Sequence, residues 1–175
     1  KDEARLLWDC FQIAPGGMPV CEVGSYRGRS TSVLAAAGAT IHVIEPFLLA
    51  PGSPNDVPES SGKYVSDEPR PVIFATFFKY LARFEPQIIL HPSKTENCHT
   101  DIPSIGLLHI DGDHMEGVFT DILLLTPKLV SGGIAVFHDY EPVHTQYTRV
   151  KEAVDALNWE VVDRAVSAIA VRKPA

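Results

Sequence analysis

Cysteine is scarce, and what there is lies too far apart to act together. Cys10, Cys21 and Cys98 are three in number and show no C-x-x-C spacing, so neither a disulfide framework nor a cysteine zinc site is expected. Buried, reduced thiols in a cytoplasmic protein are the plain reading. No apolar run is long enough to span a bilayer, and no signal-peptide pattern opens the chain. No basic run occurs either. With a net charge of −7 and a pI near 5.4, the chain is not expected to bind nucleic acid or an anionic membrane surface. It begins at Lys1 rather than Met, so it reads as a piece of a longer chain. Its 175 residues, 45% of them hydrophobic, suggest one domain over residues 1–175 with one core.

The most informative stretch runs from Cys21 to Thr31. Val20–Val23 reads as a short buried strand, and the small residues from Ser30 to about Ala37 read as a helix. Between them lies a turn with glycines at 24 and 28. Glycine lets a ligand approach the backbone closely, and the helix start offers unpaired N–H groups. Ser25, Tyr26, Ser30 and Thr31 flank that pocket. The dinucleotide fingerprint is G-x-G-x-x-G, but here the spacing is E-x-G-x-x-x-G. The carboxylate of Glu22 would repel a pyrophosphate and suit an ammonium group. Ile41–Glu45 reads as a second strand ending in an acid, 21 residues after Gly24. Such an acid accepts hydrogen bonds from ribose hydroxyls.

The rest of the chain alternates. A helix is expected over about 1–13, stopped by Pro15-Gly16-Gly17, with Trp8 in the core. Residues 46–71 hold six prolines and read as a loop or lid insertion, with a short ordered piece at Lys63–Val65. A helix over 72–84 is expected to bury Ile73, Phe74, Phe77, Leu81 and Phe84. Gln87–Leu90 is a third strand, left by a plain loop at 91–95. Ile105–Ile110 is a fourth, apolar throughout as a central parallel strand is. A helix then runs to Ser131-Gly132-Gly133, a fifth strand over Ile134–Phe137, a helix over 146–157, and a closing antiparallel pair at 159–163 and 168–172. This is an α/β sandwich whose ligands belong at the carboxyl ends of its strands. Glu22, Glu45, Ser93, Asp111–His114 and His138–Asp139 all fall there.

The glycine turn with its two strand-end acids resembles motif I of the class I S-adenosylmethionine (SAM)-dependent methyltransferases. The segments Leu108–His114, Leu129–Gly133 and His138-Asp139-Tyr140 resemble one branch of that family, the small-molecule O-methyltransferases. The resemblance covers nearly everything but the proline-rich loop. It implies SAM as methyl donor and a Rossmann-like, mostly parallel seven-stranded sheet with a reversed last strand. It places Glu22 and Asp111 near the methionine end of SAM, Gly24 and Gly28 at the backbone approach, and a residue such as Ser93 near adenine. In metal-dependent relatives an acid after the fourth strand and a pair after the fifth hold Mg²⁺. Asp111 and Asp139 match two of those positions, but His138 stands where relatives mostly carry an acid. An imidazole favours Zn²⁺, Fe²⁺ or Ni²⁺ over Mg²⁺, so Asp111, His138 and Asp139 are candidate ligands for a divalent metal whose identity stays open. His114 is the candidate base, with His138 in reserve. Asp113 or Asp139 would hold the His114 tautomer. The remaining histidines, at 42, 91, 99, 109 and 144, have no acidic company in sequence and read as structural. The implied activity is methyl transfer to a hydroxyl of a small-molecule acceptor. The alternatives are a SAM- or nucleotide-binding domain without catalysis and, against the glycine spacing, an NAD-dependent oxidoreductase. A homo-oligomer is left open.

Overall fold

A twisted sheet of seven strands forms the middle layer, in the order β3-β2-β1-β4-β5-β7-β6. The computed structural model describes residues 2–47, 70–141 and 148–175. Most of the 46–71 insertion, the Lys63–Val65 piece, His144 and the first residues of the 146–157 helix lie outside these. The strands are β1 (Val20–Val23), β2 (Ile41–Ile44), β3 (Ile88–His91), β4 (Ile105–Ile110), β5 (Leu129–Phe137), β6 (Glu160–Ala165) and β7 (Ala168–Arg172). The first five pair in parallel, and β7 runs antiparallel to both β5 and β6.

Alternate residues of the central strands feed two cores. Leu107, Val136 and Ala170 face one side, where they pack with α1 (Glu3–Ile13), α2 (Arg29–Ala36) and α3 (Arg70–Leu81). Leu108, Phe137 and Ile169 face the other, toward α4 (Thr95–Cys98), α5 (Gly117–Leu125) and α6 (Thr148–Asp155). A parallel strand covered on both faces reads as an unbroken apolar run, as Ile105–Ile110 does. From β1 the chain moves outward to β2 and β3, then returns to lay β4 on the other side of β1. That reversal opens a crevice at the carboxyl ends of β1 and β4, where ligands of such sheets bind. Among the described residues no helix is long and apolar enough to cross a membrane.

Four local expectations are corrected. β5 starts at Leu129, not Ile134, because the small residues at 131–133 form an irregular stretch within the strand instead of a turn. Its backbone is paired by the chain beyond β7: Gly132 N–H donates to the Lys173 carbonyl at 3.0 Å, and Lys173 N–H to Gly133 at 2.9 Å. In α3 only one stripe, Ile73, Phe77 and Leu81, is buried, while Phe74, Phe78 and Tyr80 stand about half exposed or more. Trp8 is 37% exposed and lines a surface groove of about 550 Å³ with Arg5 and Arg83. The loop after β3 is cut short at Thr95 by α4.

Candidate functional site

Two groups of side chains meet at the carboxyl edge of the sheet. The first surrounds the glycine turn. Gly24 has φ +82°, and a Cβ there would lie 2.2 Å from the Asp111 carbonyl oxygen. The turn is thus pressed against the end of β4, and the Asp111 N–H bonds back to Val23 at 2.9 Å. At Gly28 the space of a Cβ is filled by Leu81 and Phe77 of α3. The sequence assigned both positions to a ligand's approach, but the nearest neighbours of each are parts of the protein itself.

Glu22 is likewise turned inward. It is fully buried, as is Thr31. The Thr31 hydroxyl donates to Glu22 Oε2, Ser25 Oγ lies 2.5 Å from that hydroxyl, and His109 Nδ1 lies 3.0 Å from Glu22 Oε1. Thr31 gives its one proton to the carboxylate, so Ser25 donates to Thr31. The chain His109–Glu22–Thr31–Ser25 ties β4, β1, α2 and the turn together beneath the crevice. Of the two ways Glu22 was expected to serve a ligand ammonium, directly or through water, this placement does not fit the direct one. A buried carboxylate is kept where its oxygens are bonded, and both are bonded to protein. His109, read as structural from sequence, is the other end of that bond.

Glu45 leaves β2 beside the turn. Its Oε2 accepts from the Tyr26 N–H at 2.7 Å and its Oε1 from the Phe47 N–H at 2.9 Å. Both donor residues have left-handed backbone, at φ 51° and 46°. A non-glycine residue held there needs such support. Burial pushes the Glu45 carboxyl up, its two N–H bonds oppose this, and the charges of Glu22 and Asp111 add to the rise. The three acids are therefore near enough to sense one another. Tyr26 is 41% exposed. Ser30 on the first turn of α2 and Ser93 after β3 are half-buried.

The second group comprises Asp111, His114, His138 and Asp139. One ligand atom from each lies within 4.8 Å of all the others. His138 Nδ1 stands 3.2 Å from Asp111 and 3.2 Å from Asp139. His114 Nε2 stands 3.4 Å from both. Adjacent parallel strands β4 and β5 cause this: the His138 N–H bonds to the Ile110 carbonyl at 3.0 Å, which sets residues 111 and 138–139 side by side. Asp139 turns the chain with φ 54°, which aspartate tolerates better than most. The sequence separated His114 as a base from the other three as ligands, whereas the fold puts all four in one cluster. Asp113 is not part of it, and its carboxylate accepts from the N–H groups of Met115 and Gly117.

Burial by itself would raise Asp111, but His114 and His138 beside it hold its carboxyl well below the usual range. Burial disfavours the charged form of His138, yet Asp111 and Asp139 outweigh it and push that imidazole up to about 11. The same imidazole holds Asp139 low against its own burial. His138 Nδ1 nevertheless makes no hydrogen bond. The atom is buried and stands 3.2 Å from each of two carboxylates. Two carboxylates and two imidazoles with ligand atoms within 4.8 Å of one another make a donor set that fits a divalent cation. An ion bound there would displace the Nδ1 proton of His138, and the two carboxylates would supply the matching negative charge.

Two residues invisible to the sequence reading hold the cluster from outside. Glu3, in the first turn of α1, accepts from His138 Nε2 at 3.1 Å. Its other oxygen accepts from the Ser167 hydroxyl at 2.7 Å and the Ser167 N–H at 3.2 Å. Glu3 lies 135 residues from His138, and nothing local links them.

The profile of a methyltransferase-domain family matches residues 21–140. Several solved structures share the fold. The O-methyltransferase NovP is 18% identical, with 98% of this chain covering 79% of that one at a TM-score of 0.66. CalS11, a TDP-rhamnose 3′-O-methyltransferase of calicheamicin biosynthesis, is 12% identical, with coverage of 97% and 76% and a TM-score of 0.64. The O-methyltransferase from Bacillus cereus, solved in complex with SAH, is 11% identical, with coverage of 98% and 80% and a TM-score of 0.65. No curated protein sequence matches the chain.

Proposed function

The chain belongs to the methyltransferase-domain family, and on that premise we propose that it moves a methyl group from SAM to a hydroxyl oxygen of a small molecule beside a divalent ion. One observation carries this reading: the glycine turn and the Asp111 cluster touch, backbone to backbone, at Gly24 and Asp111. In net terms the acceptor oxygen bonds to the methyl carbon, the sulfur–carbon bond breaks with its electron pair left on sulfur, and the hydroxyl proton departs.

An ion held by Asp111, His138 and Asp139 would supply orientation of the hydroxyl and a lower pKa for it. The rest falls to the protein. Holding the acceptor in line supplies up to about 7–11 kcal/mol of the barrier. His114 accepts the departing proton, a contribution of about 10²–10⁴-fold for a positioned base. Its Nε2 lies 3.4 Å from both Asp111 and Asp139, which hold the ring at the rim where the acceptor would stand. Glu45 would accept from the ribose hydroxyls with its remaining lone pairs. The His109–Glu22–Thr31–Ser25 chain keeps the turn in shape around the methionine end.

Isothermal titration with SAM tests the donor: binding in the micromolar range is expected, and none at millimolar SAM ends the proposal. Turnover over a panel of hydroxyl acceptors, with chelator and then ion add-back, tests the chemistry.

A further inference from the structure

The outer support of the cluster is built differently from its centre. Asp111, His138 and Asp139 lie within the stretch that matches the family, residues 21–140. Glu3 and Ser167 lie outside it, one before and one after. They make a directed chain: Ser167 donates twice to Glu3 Oε1, and Glu3 Oε2 receives His138 Nε2. A carboxylate that takes the far N–H of an imidazole fixes the ring's tautomer and orientation. Here that leaves Nδ1 on the side of Asp111 and Asp139, 3.2 Å from each.

We propose that Glu3 is a positioning residue which, braced by Ser167, aims His138 Nδ1 at a divalent transition ion and sets the site's preference for such an ion over Mg²⁺. The proposal rests on the reading of the cluster as an ion site, and is independent of which molecule is methylated. Its chemical ground is the donor set. Mg²⁺ takes oxygen ligands in a near-ideal octahedron, whereas imidazole nitrogen suits Zn²⁺, Fe²⁺, Co²⁺ or Ni²⁺. A nitrogen held from behind by the half-buried Glu3 carboxylate favours ions of the second group and does little for the first.

The test is titration of the intact protein with Co²⁺, followed by its visible ligand-field absorption, alongside calorimetric titration with Zn²⁺ and Mg²⁺. Co²⁺ and Zn²⁺ should bind at least tenfold more tightly than Mg²⁺. Glu3→Ala should weaken Co²⁺ by about 10–100-fold and alter its band, with circular dichroism and the melting transition reporting that the fold persists. Glu3→Gln, whose amide oxygen still accepts from Nε2, should recover part of the loss. Ser167→Ala should give a smaller loss in the same direction. His138→Asp should shift preference toward Mg²⁺.

Equal Co²⁺ affinity and spectrum in wild type and Glu3→Ala would overturn the role of Glu3. Tighter Mg²⁺ than Co²⁺, or no ion binding, would overturn the site's assignment. SAM titrated in the same samples separates the two readings. SAM binding without any ion sinks this proposal and the ion's part in the reaction, and leaves methyl transfer standing. Ion binding without SAM sinks methyl transfer alone.

Discussion

Gly24→Ala is the sharpest single perturbation of this protein. Two costs apply. Alanine at φ +82° carries a left-handed penalty of about 1–2 kcal/mol. Its Cβ would also lie 2.2 Å from the Asp111 oxygen, 2.5 Å from its carbonyl carbon and 2.7 Å from Gly112 Cα. All three are backbone atoms, which cannot swing aside as a side chain can. Ordinary carbon contacts need about 3.5–4.0 Å, so the turn and the end of β4 must part by more than 1 Å. Overpacking of this kind costs about 1–3 kcal/mol. Together the two destabilise by about 2–5 kcal/mol, a fall in melting temperature of about 4–20 °C for a chain of this size.

Gly38→Ala is the control. It too has positive φ, at +98°, but nothing lies within 4 Å of a Cβ there. It carries the backbone penalty without the clash. The displaced backbone in Gly24→Ala belongs to Asp111, so SAM and Co²⁺ affinities should fall together. Differential scanning fluorimetry and two calorimetric titrations decide it. A melting loss equal to that of Gly38→Ala, with both affinities unchanged, would refute the coupling of turn and cluster.

Glu45→Ala should weaken SAM binding by about 1–3 kcal/mol, the scale of hydrogen bonds to a charged group, and should also lower the melting temperature because Tyr26 and Phe47 lose their acceptor; calorimetry and fluorimetry read the two separately. His114→Ala should reduce turnover by about 10²–10⁴-fold while Co²⁺ affinity stays within about threefold of wild type, and a parallel loss of both would make it a ligand. His42 and His91 form a 3.0 Å ring-to-ring hydrogen bond across β2 and β3. Burial lowers both, with each ring's neighbours modifying the shift. A histidine lowered in the folded state gives stability that is complete above its unfolded value of 6.5 and is lost as pH falls from there through the lower folded value. The melting temperature should therefore drop between pH 7 and pH 5, and drop less in His91→Asn; identical slopes would discard the pair as the cause.

Much of the architecture was readable because it is written in short range. Apolar runs such as Ile105–Ile110 announce buried strands, and strand ends in a parallel sheet collect on one side. That rule alone brought Asp111 to His138 and Asp139. Where reading failed, the deciding contact was distant. The small residues 131–133 spell a turn until Lys173 pairs with them. The aromatics of α3 share a helix whose single buried stripe has room for few of them. Glu22 looks like a ligand-facing acid until His109, from another strand, claims one of its oxygens. Glu3 has no signal in its neighbourhood, since its partners come from β5 and the last hairpin.

The reversed direction of β7 has one further effect. It turns the tip of the closing hairpin back to the rim where the parallel strands finish, and Ser167 stands at that tip. The first helix reaches the same rim from the opposite end of the polypeptide. A protein trimmed to residues 21–140, the span the family profile matches, would keep Asp111, His114, His138 and Asp139 and discard both clamps, so it would retain an ion site's letters without the grip that orients them.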